Sequence, residues 1–261
     1  MAFLRAMMIG DVVGNPGLTV LEGVLPGLIK DYEADLVVVN GENAAEGFGL
    51  TESTLGRILA AGADVVTSGN HVWEKREFWP ILDRERRILR PANYPQGNPG
   101  KGWVKLEKAG MSWLVVNLQG RELMTPLDCP FRTFDTIPAS LDTELILVDF
   151  HAESTREKEA LAYYLDGRVS LLSGTHTHVQ TADERVLPQG TGYITDLGMT
   201  GVLEGIIGMD LRICLDRARN QVLYRMECAQ GKGALQGIVA TIDPRNGKTL
   251  GIQRINTRGT P

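Results

Sequence analysis

Side chains that commonly bind metal ions follow short apolar segments at several points in the chain. They are Asp11, Glu42, Asn43, Asn70, His71, His151, His176 and His178. All four histidines of the sequence belong to this set. For any one of them, a surface imidazole or one satisfied by hydrogen bonds is the simpler interpretation, but four together with carboxylate and amide partners indicate a shared metal site. Imidazole, carboxylate and amide ligands without thiolate suit Mn, Fe, Zn or Mg.

The seven side chains other than His71 exceed what one tetrahedral metal site needs. Two metal ions that share a bridging carboxylate would use all seven. Such ions lie about 3.5–4 Å apart and bind the attacking and leaving oxygens of an in-line displacement. His176 and His178 are separated by one residue. On a strand both rings would face one side, whereas on a loop they can diverge toward two ions.

The apolar segments before these side chains have the composition of buried β-strands. They cover residues 6–9, 36–39, 65–66, 145–148 and 169–172. Continuous runs rich in Val, Ile and Leu suit strands that are buried on both faces. Helical spacing is found in residues 18–29, 51–59 and 153–165. Alternation of strands and helices implies crossover connections in a parallel sheet, and ligands then bind beyond the carboxyl ends of the strands.

Other parts of the chain have the pattern of antiparallel strands. Residues 102–107 and 112–117 predict a β-hairpin around residues 108–111. Past Gly192 the helical pattern fades, and three segments predict antiparallel strands. They are residues 221–228, 235–242 and 249–255, with a turn at 243–247 between the last two. The helix–strand units are too few for an eight-fold barrel, so the sequence predicts a layered α/β sandwich. Because no linker or repeat interrupts it, we expect a single domain over residues 1–261.

Composition excludes several classes of function. The chain has 261 residues and a net charge of −5, so no extended nucleic-acid surface is indicated. No apolar run approaches the roughly 18 residues that span a membrane. Three widely separated cysteines predict neither a disulfide framework nor a thiolate cluster. We therefore expect a cytoplasmic protein, and its size is compatible with assembly into a homo-oligomer.

The spaced metal-binding blocks resemble a known superfamily. Gly10-Asp11, Gly41-Glu42-Asn43, Gly69-Asn70-His71, His151 and Gly174-Thr175-His176-Thr177-His178 are similar in order and spacing to the blocks of calcineurin-like metallophosphoesterases. Residues 40–45, 90–95, 117–120 and 174–183 more closely resemble the YmdB-like branch, bacterial phosphodiesterases associated with 2′,3′-cyclic nucleotides. The resemblance runs from about Leu4 to beyond Met209. The superfamily usually has Asp-x-His in the first block and a bridging aspartate, whereas this chain has Asp11-Val12-Val13 and Glu42, as the closer branch does.

The resemblance implies a fold, a cofactor and a set of roles. The fold would be a layered α/β/β/α sandwich of the calcineurin-like metallophosphoesterase type. One metal would be held by Asp11, Glu42, Asn43 and His178, and the second by Glu42, Asn70, His151 and His176. Two divalent or trivalent ions are expected, with Fe or Mn favoured and Zn or Mg left open. A hydroxide activated by the metals would attack the phosphoester, and His71 would protonate the departing oxygen as general acid.

The substrate implied by the resemblance is a small phosphoester, a 2′,3′-cyclic nucleotide above all. Two alternatives stay open: a phosphomonoesterase or nuclease with the same metal site, and a regulatory nucleotide-binding protein with little turnover. In the loop of residues 90–102, Asn93 is a candidate to bond phosphate and Tyr94 to stack on a base. A rigid surface loop held by prolines explains the same residues equally well. Asp149 is a candidate either to orient a ligand imidazole or to cap or pair locally.

Overall fold

The first of two β-sheets contains the N-terminal and C-terminal strands. The computed structural model describes residues 2–137 and 143–259. Within these residues, the first sheet has seven strands in the order β2-β11-β12-β1-β3-β4, and β13 pairs with β12. They are β1 (Leu4–Ile9), β2 (Asp11–Val12), β3 (Leu36–Asn40), β4 (Val65–Thr67), β11 (Met199–Val202), β12 (Gly233–Ile242) and β13 (Thr249–Gly259). Strands β1, β3 and β4 are parallel to one another, and β12 runs antiparallel to β1.

The second sheet comes from the middle of the chain. Its six strands in the described residues follow the order β5-β6-β7-β8-β10-β9. They are β5 (Trp103–Lys108), β6 (Met111–Gln119), β7 (Leu145–His151), β8 (Leu171–Thr175), β9 (Arg185–Val186) and β10 (Gly192–Ile194). The predicted hairpin is confirmed as β5 and β6. Ala109 and Gly110 both have positive φ, at 53° and 73°, as expected of the two-residue turns that match strand twist.

Helices cover the outer faces of both sheets. They are α1 (Gly14–Tyr32), α2 (Glu52–Ala60), α3 (Trp79–Arg84), α4 (Pro130–Asp135) and α5 (Thr155–Tyr164), with a 3-10 turn at Arg76–Phe78. A further helix, α6 (Leu211–Asn220), has no buried residue. Leu21 of α1 and Ile58 of α2 share one core with the first sheet. Leu161 of α5 and Phe134 of α4 share another core with the second sheet. The predicted α/β/β/α sandwich is confirmed. In the described part of the chain, no helix is both long and apolar enough to cross a bilayer.

Alternating side chains of the central strands explain the continuous apolar runs. In β1, Met7 and Ile9 face the helices of the first core, whereas Ala6 and Met8 face the seam between the sheets. From the other side, Val115 and other residues of the second sheet complete that seam. Because successive residues of a strand point to opposite faces, a strand with two covered faces needs apolar side chains at every position. The predicted strands at the sheet centres are therefore found.

The prediction for residues 221–228 is wrong. Helix α6 ends at Asn220. Residues 221–228 form no strand, and their β-pairing is a single bridge between Met209 and Cys228. The apolar residues Val222, Leu223 and Tyr224 favoured a strand, but all three side chains are exposed. Helix α6 was not predicted because none of its residues is buried. It begins at Asp210, whose side chain accepts the Ile213 amide hydrogen at 2.9 Å, so a local cap rather than an apolar stripe marks its start. The single domain stays a prediction.

The N-terminus of α2 provides a test of this local chemistry. Thr51 Oγ1 accepts from the Thr54 amide at 3.2 Å, and Thr54 Oγ1 accepts from the Thr51 amide at 2.9 Å. We predict that Thr51→Ala lowers the free energy of unfolding by about 1 kcal/mol, because one backbone donor loses its partner. Thr51→Ser, which keeps the hydroxyl, should lose less than half of that. Urea denaturation measures both, and equal stability of the Ala and Ser variants would contradict the assigned cap.

Candidate metal centre

The strands that precede the predicted ligands end at one shared edge of the two sheets. Glu42 and Asn43 follow β3, Asn70 follows β4, His151 is the last residue of β7, and His176 follows β8. The two sheets meet at this edge through side-chain bonds such as Asn40 Nδ2 to Asp149 Oδ2, at 3.0 Å. Side chains that are distant in sequence are thereby brought together at the carboxyl ends of parallel strands, as expected for an α/β site.

Three of the predicted side chains converge on a nitrogen of a fourth, His151. His151 Nε2 lies 3.1 Å from Glu42 Oε1, 3.0 Å from Asn70 Oδ1 and 3.0 Å from His176 Nδ1. One ligand atom from each of Glu42, His151 and His176 lies within 4.8 Å of the other two. These four residues are the set that the family resemblance implied for the second metal. Their nitrogen and oxygen atoms face one another at a separation that suits a small cation between them.

The set assigned to the first metal contains two buried oxygen atoms without hydrogen bonds. Among the described residues, neither Asp11 Oδ1 nor Asn43 Oδ1 has a hydrogen-bond partner, although His151 Nδ1 lies 3.8 Å from Asp11 Oδ1, and both residues are almost fully buried. The other oxygen of Asp11 accepts from the His176 amide at 3.3 Å. A buried, unpaired oxygen is costly, and coordination of a hard cation would remove this cost. The donor set therefore fits a metal on this side as well.

The charges of the site are strongly coupled. Burial raises the pKa of Asp11 to about 7, and the neighbouring Glu42 adds to the rise, whereas His178 and His151 oppose it. Burial also disfavours the charged form of Glu42, but His151 and His71 outweigh it and hold the pKa of Glu42 at about 2. The two carboxylates thus compete for the available positive charge, which a metal ion would supply.

The pKa values of the His151 and His176 imidazoles are shifted in opposite directions. Burial alone would lower the pKa of His151, but the carboxylates of Glu42 and Asp11 outweigh it and raise the pKa to about 9. Burial, together with the positive charge of the adjacent His151, lowers the pKa of His176 to about 3. At neutral pH, His176 is therefore a neutral ligand, whereas His151 must lose a proton before it binds a cation.

In three histidines, the ring nitrogen that faces away from the site contacts a polar group of the protein. The pairs are His151 Nδ1 with Thr175 Oγ1 at 2.9 Å, His176 Nε2 with Glu153 Oε2 at 3.2 Å, and His178 Nδ1 with the Ile207 carbonyl at 2.8 Å. An acceptor on one ring nitrogen places the proton there and leaves the other nitrogen free as a ligand. Sequence reasoning did not single out Glu153, Thr175 or Ile207. Only Thr175 had a signal, its place inside the Gly174–His178 block.

The segment after β8 bends sharply to present its histidines. His176 and His178 have φ values of 103° and 65°, and Ile207 has φ 49°. Residues other than glycine rarely adopt such conformations, which persist when surrounding contacts hold them. The bend directs the His176 ring against His151, with centroids 4.8 Å apart, and the His178 ring toward Ile207. Of the two geometries open for this pair, the loop is therefore the one observed.

His71 lies at the rim of the site. Its backbone amide donates to Glu42 Oε2 at 3.2 Å, and its ring packs edge-on against Phe48 with centroids 5.0 Å apart. Nδ1 lies 3.3 Å from Glu74 Oε1, and 24% of the side chain is exposed. Within the described residues, the ring forms no hydrogen bond with the other three histidines. The ring therefore stands beside the cluster and in contact with solvent.

Asn93 and Tyr94 are held by internal contacts. Asn93 is buried, and its Nδ2 donates to the carbonyls of Gln119 (2.8 Å) and Asp128 (2.9 Å). Its Oδ1 accepts from the Gln119 amide at 2.9 Å. The Tyr94 ring packs edge-on against Trp73 with centroids 5.3 Å apart. A contact of Asn93 with phosphate would require these bonds to break, so its arrangement is that of a structural residue, and both substrate roles stay predictions.

A cavity of about 760 Å³ lies next to the ligand-bearing loops but does not contain the ligands. Its lining includes Ala44, Ala45 and Glu46, which directly follow Asn43. None of the seven predicted ligands lines it. Large concave pockets are the usual first guess for a functional site. Here the converging side chains are the stronger indication, because the group of close metal-binding atoms found among the described residues is Glu42, His151 and His176, none of which lines the cavity.

Substitution of Gly69 tests whether metal binding requires the close packing around His151 and Glu42. A Cβ at this position would lie 2.3 Å from His151 Nε2 and 2.4 Å from Glu42 Oε2. We predict that Gly69→Ala weakens Mn²⁺ affinity roughly tenfold or more, on the scale of changes next to metal ligands. Calorimetric titration measures the affinity. Gly56→Ala is the matched control, because nothing lies within 4 Å of its added Cβ. Wild-type affinity in Gly69→Ala would contradict the geometry.

Metal binding should release protons. A raised pKa keeps His151 protonated below about pH 9 and Asp11 below about pH 7, and both must be deprotonated to serve as ligands. We therefore predict that Mn²⁺ affinity rises as the pH increases from 6 to 9, with release of about one proton or more at pH 7. Calorimetry in two buffers of different ionisation enthalpy measures the release. Identical heats in both buffers would contradict the protonation states given above.

Comparison with known proteins places this site in a family. Residues 7–255 match the family described as YmdB-like protein. The chain is 46% identical to the 2′,3′-cyclic-nucleotide 2′-phosphodiesterase of Bacillus subtilis (strain 168), with coverage of 97% of this chain and 96% of that protein. A crystal structure of a hypothetical protein from Thermus thermophilus has a TM-score of 0.93 at 42% identity, covering 98% of this chain and 100% of that one. A novel phosphatase from Mycoplasma pneumoniae has a TM-score of 0.93 at 30% identity, covering 100% and 96%.

These matches extend over nearly the whole chain, well beyond the ligand-bearing blocks. They confirm the resemblance that those blocks predicted. The chain belongs to the YmdB-like family.

Proposed function

We propose that the protein is a phosphodiesterase that holds two metal ions and hydrolyses 2′,3′-cyclic nucleotides. The observation that carries the proposal is the convergence of Glu42, Asn70 and His176 on His151 Nε2. The unpaired buried oxygens of Asp11 and Asn43 support a second ion beside it. The name of the Bacillus subtilis relative, a 2′,3′-cyclic-nucleotide 2′-phosphodiesterase, supports the substrate class.

The proposed ligands divide between the two ions. Asp11, Glu42, Asn43 and His178 would hold one, and Glu42, Asn70, His151 and His176 would hold the other. Glu42 is the shared residue, and we propose Fe or Mn as the ions, with Zn or Mg as alternatives. When bound, such ions lower the pKa of water and neutralise charge on phosphoryl oxygens. The protein contributes a fixed arrangement of ligands, because neutral His176 and the partners behind each imidazole hold the lone pairs toward the site.

His71 is the proposed proton donor. Nδ1 of the ring lies 3.3 Å from Glu74 Oε1; a hydrogen bond there would orient the ring and leave Nε2–H to act as the acid. As the water-derived oxygen bonds to phosphorus, the bond from phosphorus to one ribose oxygen breaks, and that oxygen takes the proton from Nε2. The product is a phosphomonoester with a free ribose hydroxyl. The contact between the His71 amide and Glu42 keeps the acid next to the ligands.

A substrate panel tests the proposed activity. Purified protein with Mn²⁺ should hydrolyse 2′,3′-cyclic AMP and bis-p-nitrophenyl phosphate well and p-nitrophenyl phosphate poorly. A preference for p-nitrophenyl phosphate would instead favour a phosphomonoesterase, in line with the name phosphatase given to the Mycoplasma pneumoniae protein. Cleavage of oligonucleotides in preference to 2′,3′-cyclic AMP would indicate a nuclease. Tight nucleotide binding without hydrolysis would favour a regulatory protein and contradict the proposal.

His71→Ala separates acid catalysis from metal binding. We predict a loss of about 10²–10⁴-fold in kcat for 2′,3′-cyclic AMP, the usual contribution of a general acid. The loss should be much smaller for bis-p-nitrophenyl phosphate, because p-nitrophenolate leaves without protonation. Metal content measured by mass spectrometry should stay near that of the wild type. Equal losses on both substrates, together with lost metal, would make His71 a ligand and contradict the proposed acid.

A further inference from the structure

We propose that Asp149 is a positioning residue that fixes metal ligands from both sheets at once. It does so through two side chains, Thr175 toward His151 and Asn40 toward Glu42. The inference rests on the proposed function only in that the site binds metal ions. Asp149 itself is not proposed as a ligand or as a catalytic residue.

Asp149 occupies the seam between the sheets beneath the ligands. Its side chain is buried, and it accepts hydrogen bonds from Asn40 Nδ2 at 3.0 Å, from Thr67 Oγ1 and from Thr175 Oγ1 at 2.7 Å. Asn40 and Thr67 end β3 and β4 of the first sheet, whereas Asp149 and Thr175 belong to β7 and β8 of the second. A buried acceptor of three hydrogen bonds from two sheets fixes the positions of all three donors.

The first connection leads to His151. A threonine hydroxyl has a single hydrogen, and the bond to Asp149 uses it. Thr175 Oγ1 must therefore act as acceptor toward His151 Nδ1, at 2.9 Å. The proton is thereby placed on Nδ1, and Nε2 is directed toward Glu42, Asn70 and His176. In many metal sites a single carboxylate accepts the second N–H of a ligating histidine and fixes the orientation of its ring. Here the Thr175 hydroxyl and the Asp149 carboxylate together have this role.

The second connection leads to Glu42. Asn40 donates to Asp149 through Nδ2, so its amide orientation is fixed, and its Oδ1 accepts from the Glu42 amide at 3.1 Å. This bond holds the backbone at the residue proposed to bridge both ions. One carboxylate therefore sets the relation between a ligand of the first sheet and a ligand of the second. The side chain of Thr67 contacts the same carboxylate but leads to no ligand.

The difference between Thr175 and Thr67 provides a matched experiment. Thr175→Val and Thr67→Val have nearly the same shape as the wild type, and each removes one hydroxyl from Asp149. We predict that Thr175→Val lowers Mn²⁺ affinity in calorimetric titration by about 10–100-fold. Thr67→Val should lower it less than about 3-fold, a bound set by that same scale. Thr175→Ser, which restores the hydroxyl, should recover most of the affinity. Melting temperatures in EDTA show how much each change weakens the metal-free fold.

Each outcome decides for or against the inference. Wild-type affinity in Thr175→Val, or failure of Thr175→Ser to recover it, would overturn the inference. So would equal losses of affinity in Thr67→Val and Thr175→Val, because Asp149 would then only stabilise the seam. Asp149→Asn should lose affinity at least as strongly as Thr175→Val. If the wild type binds Mn²⁺ and the variants behave as predicted, but 2′,3′-cyclic AMP is not hydrolysed, the proposed function fails and the inference stands.

Discussion

The site depends on the burial of many oxygen and nitrogen atoms close together. The polypeptide alone does not neutralise the negative charge of the carboxylates among them. Glu42 and Asp11 lie almost fully buried among three histidines. Burial, with a smaller contribution from Glu42, raises the pKa of Asp11 to about 7, and the two carboxylates raise the pKa of His151 to about 9. Burial of like charges is unfavourable unless opposite charge is supplied. Bound cations would supply that charge, and the proposed pair of ions at the strand ends would do so.

The sandwich fold makes that concentration of ligands possible. Two sheets with apolar faces pack against each other, and helices cover the outside, so the central strands are held on both faces. Only their carboxyl ends are free to carry polar side chains. The ligands therefore stand on rigid supports, while bends with positive φ at His176 and His178 set the final directions of two rings. These strained conformations are stabilised by contacts such as the hydrogen bond between His178 Nδ1 and the Ile207 carbonyl.

Much of this arrangement could be predicted from the sequence, for a definite physical reason. Runs such as residues 36–39 carry apolar side chains on both faces, which is what a strand covered on both faces requires. The end of such a run then locates Glu42 at the edge of the sheet. Helix α6 could not be predicted in this way, because its side chains are not buried and its periodicity reports no core. Residues 221–228 were wrongly predicted to form a strand, since apolar residues without a neighbouring strand do not form a sheet.

The supports of the ligands were harder to predict than the ligands themselves. The sequence marked Asp149 only by its position two residues before His151, with a local role equally open, and Thr175 only by its place in the Gly174–His178 block. Their proposed role depends on a hydrogen bond between strands, across a separation of 26 residues in the chain. The Ile207 carbonyl has no side-chain signature at all. Residue type reveals which atoms can bind a metal, whereas the tautomer of each imidazole depends on contacts that only the folded chain defines.

The shared carboxylate is the central claim, and anomalous diffraction from crystals soaked in Mn²⁺ tests it most directly. The account predicts two manganese peaks about 3.5–4 Å apart. Glu42 should lie between them, and His151 and His178 should bind different ions. A single peak, or two peaks of which only one is in contact with Glu42, would contradict it.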